Sequence, residues 1–213
     1  MSISVMMKPF MLVAALLPLG LSCCNNVHGS VFAIGERDSC IDGLHAPWSH
    51  VDDDTKFRCH VSDGFLRFEF EVNDSTQTVV ESFNDKMDVA REDRVEIFFS
   101  ADSSMTEYYG METDPEGRTM DYKARYYRQF DYTWKFSTLM LDATRTENHY
   151  SVSGSIDMNE LKSMGIDLKG GFYMGVFRAD FRGDDVTWYS AVPTDDESPD
   201  FHKPDVLFRA CVR

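Results

Sequence analysis

The segment from Phe65 to Val72 alternates apolar and charged residues, and this alternation constrains the fold more than any other feature of the chain. Its even-numbered residues are apolar, whereas Arg67, Glu69 and Glu71 are charged. A strand with one face in a core and the other in water has this period of two. The turn residues Ser62-Asp63-Gly64 precede it and follow a second apolar stretch, so we expect a hairpin here.

Similar segments recur along the rest of the chain and are separated by turn residues. The further strand candidates are Arg94 to Ser100, Glu107 to Thr113, Arg118 to Tyr127, Thr133 to Leu141, Tyr150 to Ile156, Gly171 to Phe181, Val186 to Val192 and Val206 to Val212. Only Asp157 to Met164 has a helical pattern, with Asp157 as N-cap. About ten strands and one short helix predict an all-β fold, an antiparallel β-sandwich.

The N-terminus has the pattern of a secretory signal. Residues 1–22 carry one charge, Lys8, and an apolar run that is shorter than the roughly 20 residues a membrane span needs. The sequence Leu-Gly-Leu-Ser-Cys-Cys resembles a bacterial lipobox, in which either Cys23 or Cys24 would be acylated. We therefore expect an exported protein with a lipid anchor in the cell envelope, at the periplasm or outer membrane. The alternative is a soluble secreted protein.

This organisation divides the chain into a signal (1–22), a connector (23–40) and one domain (41–213). The chain has 36 acidic and 21 basic residues, a formal net charge of −15, which disfavours nucleic-acid binding. Cysteine spacing does not fix the disulfide connectivity. We favour Cys40 with Cys59, because both lie near the start of the fold.

The segment from Arg118 to Phe136 stands out because seven of its 19 residues are aromatic and five are basic. It contains Arg125, Tyr127 and Trp134. Aromatic rings stack on the C–H face of a sugar, while charged side chains hydrogen-bond its hydroxyl groups. The alternative for any single ring is that it fills the sandwich core.

Several ordered motifs resemble the family 9 carbohydrate-binding modules, in particular their single-domain, lipoprotein-like members in Bacteroidetes. The motifs are Glu92 to Phe99, Tyr108-Tyr109, Asp114 to Arg118, Trp188-Tyr-Ser and Pro199 to Pro204, within a resemblance from Ile41 to the C-terminus. The resemblance implies a β-sandwich that clamps a sugar end between aromatic rings, and often carries calcium. It also implies oligosaccharide or polysaccharide as ligand, with glycoside hydrolases in the same pathway.

Matching positions make Glu96, Arg118 and Trp188 the leading candidates for sugar binding. Arg125, from the aromatic and basic segment, is a further candidate. The family's upstream tryptophan is absent here. Phe83, Tyr127 or Trp134 would have to supply the second aromatic wall. The carboxylates that could bind calcium lie in three acidic clusters, Asp52 to Asp54, Asp184-Asp185 and Asp195 to Glu197. The simpler interpretation is that these are charged loop residues exposed to water.

Two other functions remain open at this point. A glycoside hydrolase needs two carboxylates flanking a bond, and Glu96 with Glu112 or Asp121 would be such a pair. A structural β-sandwich that has lost its sugar site is the other. We expect a binding protein rather than an enzyme, because a chain this acidic brings carboxylates together by chance.

Overall fold

The computed structural model describes residues 23–24, 27, 29–49 and 51–213, so the predicted signal lies outside the described residues. The strands are β1 Cys23–Cys24, β2 Phe32–Ile34, β3 Ser39–Ala46, β4 Val51–Ser62, β5 Phe65–Asn73, β6 Arg94–Ser100, β7 Tyr108–Thr113, β8 Thr119–Arg125, β9 Gln129–Asp131, β10 Met140–Arg145, β11 His149–Asp157, β12 Phe172–Arg182, β13 Asp185–Ser190 and β14 Phe208–Val212. One α-helix, α1 Met158–Ser163, and two 3₁₀ segments, Lys86–Arg91 and Pro204–Val206, complete the described elements.

The strands form a β-sandwich, as the alternation predicted. One half has the order β10-β11-β5-β4-β3 and the other the order β13-β12-β6-β7-β8-β9, and β13 meets β3 through the single pair Ser190 and His45. Pairing is antiparallel except where β1 runs beside β3 and β14 beside β2. The two halves pack face to face, because a strand with one apolar face must bury that face against another layer.

The main core lies between the two halves. The even-numbered residues of β5, from Leu66 to Val72, are buried in it, which confirms the alternation. On the facing half, Ile97 of β6, Met111 of β7 and Val176 of β12 belong to the same core. Phe32 and Ile34 of β2 also join this core, so part of the segment predicted as a connector is packed structure.

The strands β6, β7, β8, β12 and β13 carry a second set of residues on the face turned away from the main core, here called the second face. Along β6 the residues Arg94, Glu96 and Phe98 lie there because neighbouring side chains of a strand point to opposite sides. A second apolar cluster covers part of this face and comprises Val89, Phe98, Met105, Tyr108, Met120, Tyr122, Ala124, Phe177, Phe201, Val206 and Leu207. The second face positions the candidate site.

The strand predicted from Thr133 to Leu141 is wrong over most of its length, because only its last residues, from Met140, begin β10. Side chains take the backbone donors of this segment. The N–H of Phe136 donates to Asp121 Oδ2 at 2.9 Å, and that of Thr138 donates to Glu160 Oε2 at 2.9 Å. With these donors engaged, the segment forms no ladder.

Two other local predictions have different outcomes. The helix begins after Asp157 as expected, and the Asp157 carboxylate accepts a hydrogen bond from Asn159 N at 2.7 Å. The disulfide Cys40–Cys59 is wrong, since Cys40 is disulfide-bonded whereas Cys59 is a free, buried thiol. Strand register explains this, because Cys59 lies opposite Ser39 while Cys40 lies opposite Arg58, so the two cysteine side chains point to opposite faces of the sheet. None of the described helices is long and apolar enough to cross a bilayer.

Candidate functional site

A cavity of about 280 Å³ opens on the second face. It is lined by Arg94, Glu96, Glu112, Arg128, Trp188, Pro199, Asp200, Phe201 and His202. The residues come from three strands, from the turn between β8 and β9, and from the segment before β14. Five of the nine carry a carboxyl or guanidinium group, so the cavity is polar although aromatic rings border it.

Sheet register brings the strand residues of the cavity together. Glu96 of β6 lies directly opposite Glu112 of β7. Arg94 of β6 lies opposite Ala179 of β12, which in turn lies opposite Trp188 of β13. The small Ala179 side chain therefore leaves room for the Arg94 guanidinium to reach the Trp188 ring.

Trp188 is the ring of its strand that points away from the main core. Its neighbour Tyr189 is buried in that core, as alternation along β13 requires. Trp188 is half-buried, with the Phe201 ring edge-on at 5.4 Å and the Cζ of Arg94 at 5.4 Å from its centroid. These contacts fix the ring beside the cavity.

A buried charge network forms the floor of the cavity. Arg94 Nε lies 2.9 Å from Glu96 Oε1 and 2.7 Å from Glu112 Oε2, and the Tyr122 hydroxyl donates to Glu112 Oε1 at 2.9 Å. Burial, followed by the nearby charge of Glu112, raises the pKa of Glu96 to about 8. At neutral pH Glu96 therefore holds a proton, and the pair offers both donors and acceptors.

The rim of the cavity is a second polar network. Arg128 Nη2 donates to Asp200 Oδ1 at 2.7 Å, and the Tyr127 hydroxyl donates to Asp200 Oδ2 at 2.5 Å. Burial of Asp200 opposes its ionisation, but hydrogen bonds from Tyr127 and from the His202 N–H lower its pKa overall. Asp200 is therefore an ionised acceptor at neutral pH.

His202 holds the rim in place. Its ring stacks on Phe98, and its Nδ1 lies 3.0 Å from the Tyr108 hydroxyl. Burial, aided by the charge of Arg128, lowers the pKa of His202 to about 3, so the ring is neutral. These contacts give His202 a structural role at the rim.

The structure brings only part of the predicted sugar-binding set to one place. Trp188 and Glu96 line the cavity, and Tyr127 contacts it through Asp200. Trp134 instead packs on Tyr109, with ring centroids 5.0 Å apart, against the main core. Its position there reflects the irregular segment that replaced the predicted strand.

Arg118 and Arg125 also lie outside the cavity. Arg118 forms ion pairs with Glu92 and Asp114, two carboxylates that are fully buried, so its guanidinium is needed there as a counter-charge. Arg125 is exposed and lies 3.8 Å from Glu107. Phe83 is not a wall of the cavity either, since its ring packs under the Arg118 guanidinium at 4.7 Å.

Several cavity residues were missed by the sequence analysis. Arg94 lies inside the motif Glu92 to Phe99, and Asp200 lies inside the motif Pro199 to Pro204, so the family motifs could have identified both residues. Arg128 lies inside the segment Arg118 to Phe136, but nothing there distinguished it from Arg118 and Arg125. A third tryptophan, Trp48, packs against Phe201 with centroids 6.0 Å apart, and its buried indole N–H has no hydrogen-bond partner among the residues that the structure describes.

The two predicted carboxylate pairs differ in geometry. Glu96 and Glu112 contact the same guanidinium nitrogen, so both are committed to Arg94. Asp121 lies on the opposite side of β8, where it accepts hydrogen bonds from Phe136 N and from Lys86. The arrangement supports polar recognition of a ligand by Glu96 and Glu112 as a unit.

A separate acidic group among the described residues has the donor chemistry of a cation site. Asp74, Asp93 and Asp180 are buried, and one oxygen from each lies within 4.8 Å of the others. Carboxylate oxygens suit calcium. Arg178 Nη2 already donates to Asp74 Oδ2 at 2.7 Å, which neutralises part of the charge. These residues were not among the acidic clusters singled out in the sequence.

Comparison with known proteins agrees with the geometry. Residues 41–209 match the model of the carbohydrate family 9 binding domain-like family. No curated protein matches the chain. Solved structures do: a candidate carbohydrate-binding protein from Bacteroides uniformis is 14% identical, with a TM-score of 0.67 over 81% of this chain and 85% of that one.

Two further solved structures are similar to this chain at 14% identity. Both are a family 9 carbohydrate-binding module from Caldicellulosiruptor kristjanssonii. The complex with glucose has a TM-score of 0.54 over 86% of this chain and 96% of that one, and the complex with cellotriose has 0.52 over 86% and 94%. At this identity the structures establish the shared fold. With a family model that spans most of its length, this chain belongs to the carbohydrate family 9 binding domain-like family.

Proposed function

We propose that this protein is a non-catalytic carbohydrate-binding protein that holds one sugar ring of an oligosaccharide or polysaccharide in the cavity on the second face. The observation that carries the proposal is the convergence of Trp188, Arg94, Glu96, Arg128 and Asp200 on one opening. An aromatic face beside fixed charged groups suits a ring with one apolar face and several hydroxyl groups.

The size of the cavity favours a single ring. At about 280 Å³ it lies at the lower end of ligand pockets, which for drug-sized ligands run from roughly 300 to 1,000 Å³. One ring would stack on Trp188 while its hydroxyl groups bond to Glu96, Arg128 and Asp200. The remainder of a longer glycan would lie outside the opening.

The charge of the cavity favours a neutral sugar. Arg94 and Arg128 supply two positive charges, while Glu112 and Asp200 supply two negative charges when Glu96 is protonated. A uronic acid would add a carboxylate beside buried acidic groups without a free cation to pair with it. The glucose and cellotriose in the complexes of the Caldicellulosiruptor modules are neutral sugars.

Export and membrane anchoring belong to the same proposal. The signal pattern of residues 1–22 and the Ser-Cys-Cys sequence after it support a lipid-anchored protein of the cell envelope, working near glycoside hydrolases that act on the same glycans. Metabolic labelling with a radioactive fatty acid tests the anchor. Labelling should occur in the wild type and disappear when Cys23 and Cys24 are both replaced by serine, and an unlabelled wild type would remove the anchor.

Calorimetric titration tests the binding proposal. The wild type is titrated with glucose, xylose and mannose, their β-1,4-linked trisaccharides, and glucuronic acid. We expect at least one neutral sugar to bind with a Kd of about 1 mM or tighter, and glucuronic acid to bind at least tenfold more weakly. No binding of any of these sugars would overturn the proposal.

Hydrolysis is the second candidate, because a protonated Glu96 beside Glu112 resembles the acid of a carboxylate pair. The same trisaccharides are incubated with the wild type and with Glu96→Gln, and reducing ends are counted. We expect neither protein to generate new reducing ends. If the wild type generates them and Glu96→Gln does not, the protein is a glycoside hydrolase and the binding proposal is overturned.

A further inference from the structure

Two adjacent tyrosines form an exposed aromatic surface next to the cavity. Tyr126 and Tyr127, in the turn between β8 and β9, are each 48% exposed, more than any other aromatic residue of the described chain. Their ring centroids are 5.4 Å apart and their planes are inclined at 65°. We call this pair the tyrosine ledge.

Hydrogen bonds fix the ledge at the rim of the cavity. The Tyr127 hydroxyl donates to Asp200 Oδ2 at 2.5 Å and accepts from Arg128 Nε at 3.0 Å, and both partners line the cavity. The Tyr126 N–H donates to the carbonyl of Met105 at 3.0 Å, which ties the other end of the turn to the second apolar cluster. The ledge is therefore held in place before any ligand arrives.

The surface that the ledge presents is aromatic carbon. The Tyr127 hydroxyl is engaged by its two partners, and the Arg128 guanidinium covers part of that ring at 5.4 Å. The Tyr126 ring contacts Tyr127 and keeps about half of its surface open. An aromatic ring held in this way is a stacking surface for the C–H face of a sugar.

We infer that the tyrosine ledge is a second sugar subsite, on which the ring next to the one in the cavity stacks. The inference rests on the proposed function. Asp200 belongs to both surfaces, since it lines the cavity and accepts from Tyr127, so a ligand in the cavity continues directly onto the ledge. The ligand is then a neutral oligosaccharide of at least two rings, and Tyr126 determines the preference for length.

The area of the ledge alone is much smaller than a stable protein interface and favours a sugar ring as its occupant. Two half-exposed rings present roughly 200 Å², whereas each side of a stable protein interface buries about 800 Å². One sugar ring covers an area of the size that the ledge offers. Its continuity with the polar cavity also favours a ligand that alternates apolar faces with hydroxyl groups.

Comparing a monosaccharide with its trisaccharide isolates the contribution of the ledge. In the wild type we expect the trisaccharide to bind about tenfold more tightly than the monosaccharide of the same sugar, the ratio for one stacked ring worth about 1.4 kcal/mol. Tyr126→Ala should remove most of this preference while changing the monosaccharide Kd less than twofold. Tyr126→Phe keeps the ring and should keep the preference.

The outcomes separate this inference from the proposed function. Sugar binding with an unchanged trisaccharide preference in Tyr126→Ala overturns the ledge and leaves the cavity, whereas a wild type that binds no sugar overturns both. Met140→Ala, an exposed residue of β10 on the other half of the sandwich, is the control and should bind like the wild type.

A measurement on the wild type covers the case in which Tyr126→Ala does not fold. With ring-labelled tyrosine, the Tyr126 signals should shift on addition of the trisaccharide and stay in place with the monosaccharide. No shift with a bound trisaccharide contradicts the ledge.

Discussion

The guanidinium carbon of Arg94 lies 5.4 Å from the centre of the Trp188 ring, and the same guanidinium pairs with Glu96 and Glu112. One side chain therefore positions both the aromatic wall and the acidic floor of the cavity. A ligand that stacks on Trp188 meets carboxyl groups whose positions Arg94 has already fixed.

Trp188→Ala should weaken sugar binding at least tenfold, about 1.4 kcal/mol. Its effect on folding should be small, because the ring is half-buried on the second face and lies outside the main core. We expect a loss of about 1 to 2 kcal/mol in the free energy of unfolding. Calorimetric titration and urea unfolding measure the two effects.

Tyr189→Ala is the matched control for Trp188→Ala. Tyr189 is next in sequence but buried in the main core, so this change should cost about 3 to 5 kcal/mol of stability. Sugar affinity should persist in the folded fraction. Undiminished binding by Trp188→Ala would remove this ring from the site.

Glu96→Gln should flatten the dependence of stability on pH. The pKa of Glu96 is raised from 4.5 to about 8 in the folded protein, so the folded state holds a proton that the unfolded state has released. Stability attributable to this group is then greatest below about pH 4.5 and is lost as the pH rises toward 8. The variant carries no such proton, so its stability should fall less over that range.

The measurement compares urea unfolding of the wild type and Glu96→Gln at several pH values between 5 and 9. Glu92 and Asp93 also have a raised pKa, so the difference between the two proteins isolates Glu96. The slopes of the unfolding free energy against pH should differ between the two proteins by at most about 1.4 kcal/mol per pH unit, the limit for one proton. Parallel curves would show that Glu96 titrates normally.

Arg118→Met should destabilise the fold without altering the sugar site. Removing this guanidinium leaves Glu92 and Asp114 buried without their counter-charge, which costs about 3 to 5 kcal/mol. Arg125→Ala, in which an exposed arginine is removed, should change stability by less than about 0.5 kcal/mol. A tenfold loss of sugar affinity in folded Arg118→Met would return Arg118 to the binding site.

Calcium should raise the melting temperature if Asp74, Asp93 and Asp180 hold it. Calcium that binds only the folded state stabilises it by about 2.7 kcal/mol when the free calcium concentration is a hundred times the Kd. We expect EDTA to lower the melting temperature of the wild type and to leave Asp180→Asn unchanged, since that variant lacks one of the three carboxylates. An identical melting temperature with and without EDTA would remove calcium from the account.

Residue alternation predicted the sandwich because burial of one strand face is a local property of the sequence. It placed the even-numbered residues of β5 in the core, and it required Trp188 and Tyr189 to point to opposite faces. It failed from Thr133 to Leu139, where carboxylates distant in sequence accept hydrogen bonds from the backbone N–H groups of Phe136 and Thr138. Such bonds depend on tertiary contacts that no local pattern records.

The candidate site was only partly predictable for the same reason. Motifs identified Glu96 and Trp188, but nothing in the sequence distinguishes an arginine that faces a ligand from one that neutralises buried carboxylates. Arg118 was assigned to the sugar and instead pairs with Glu92. Arg128 was overlooked because its partner, Asp200, lies 72 residues further along the chain.

The most direct test is a crystal structure of the protein with the trisaccharide that binds most tightly. The account predicts a sugar ring against Trp188, with hydroxyl groups within hydrogen-bond distance of Glu96, Arg128 and Asp200. A sugar bound elsewhere, for example over Phe83 and Arg118, with this cavity unoccupied would contradict it.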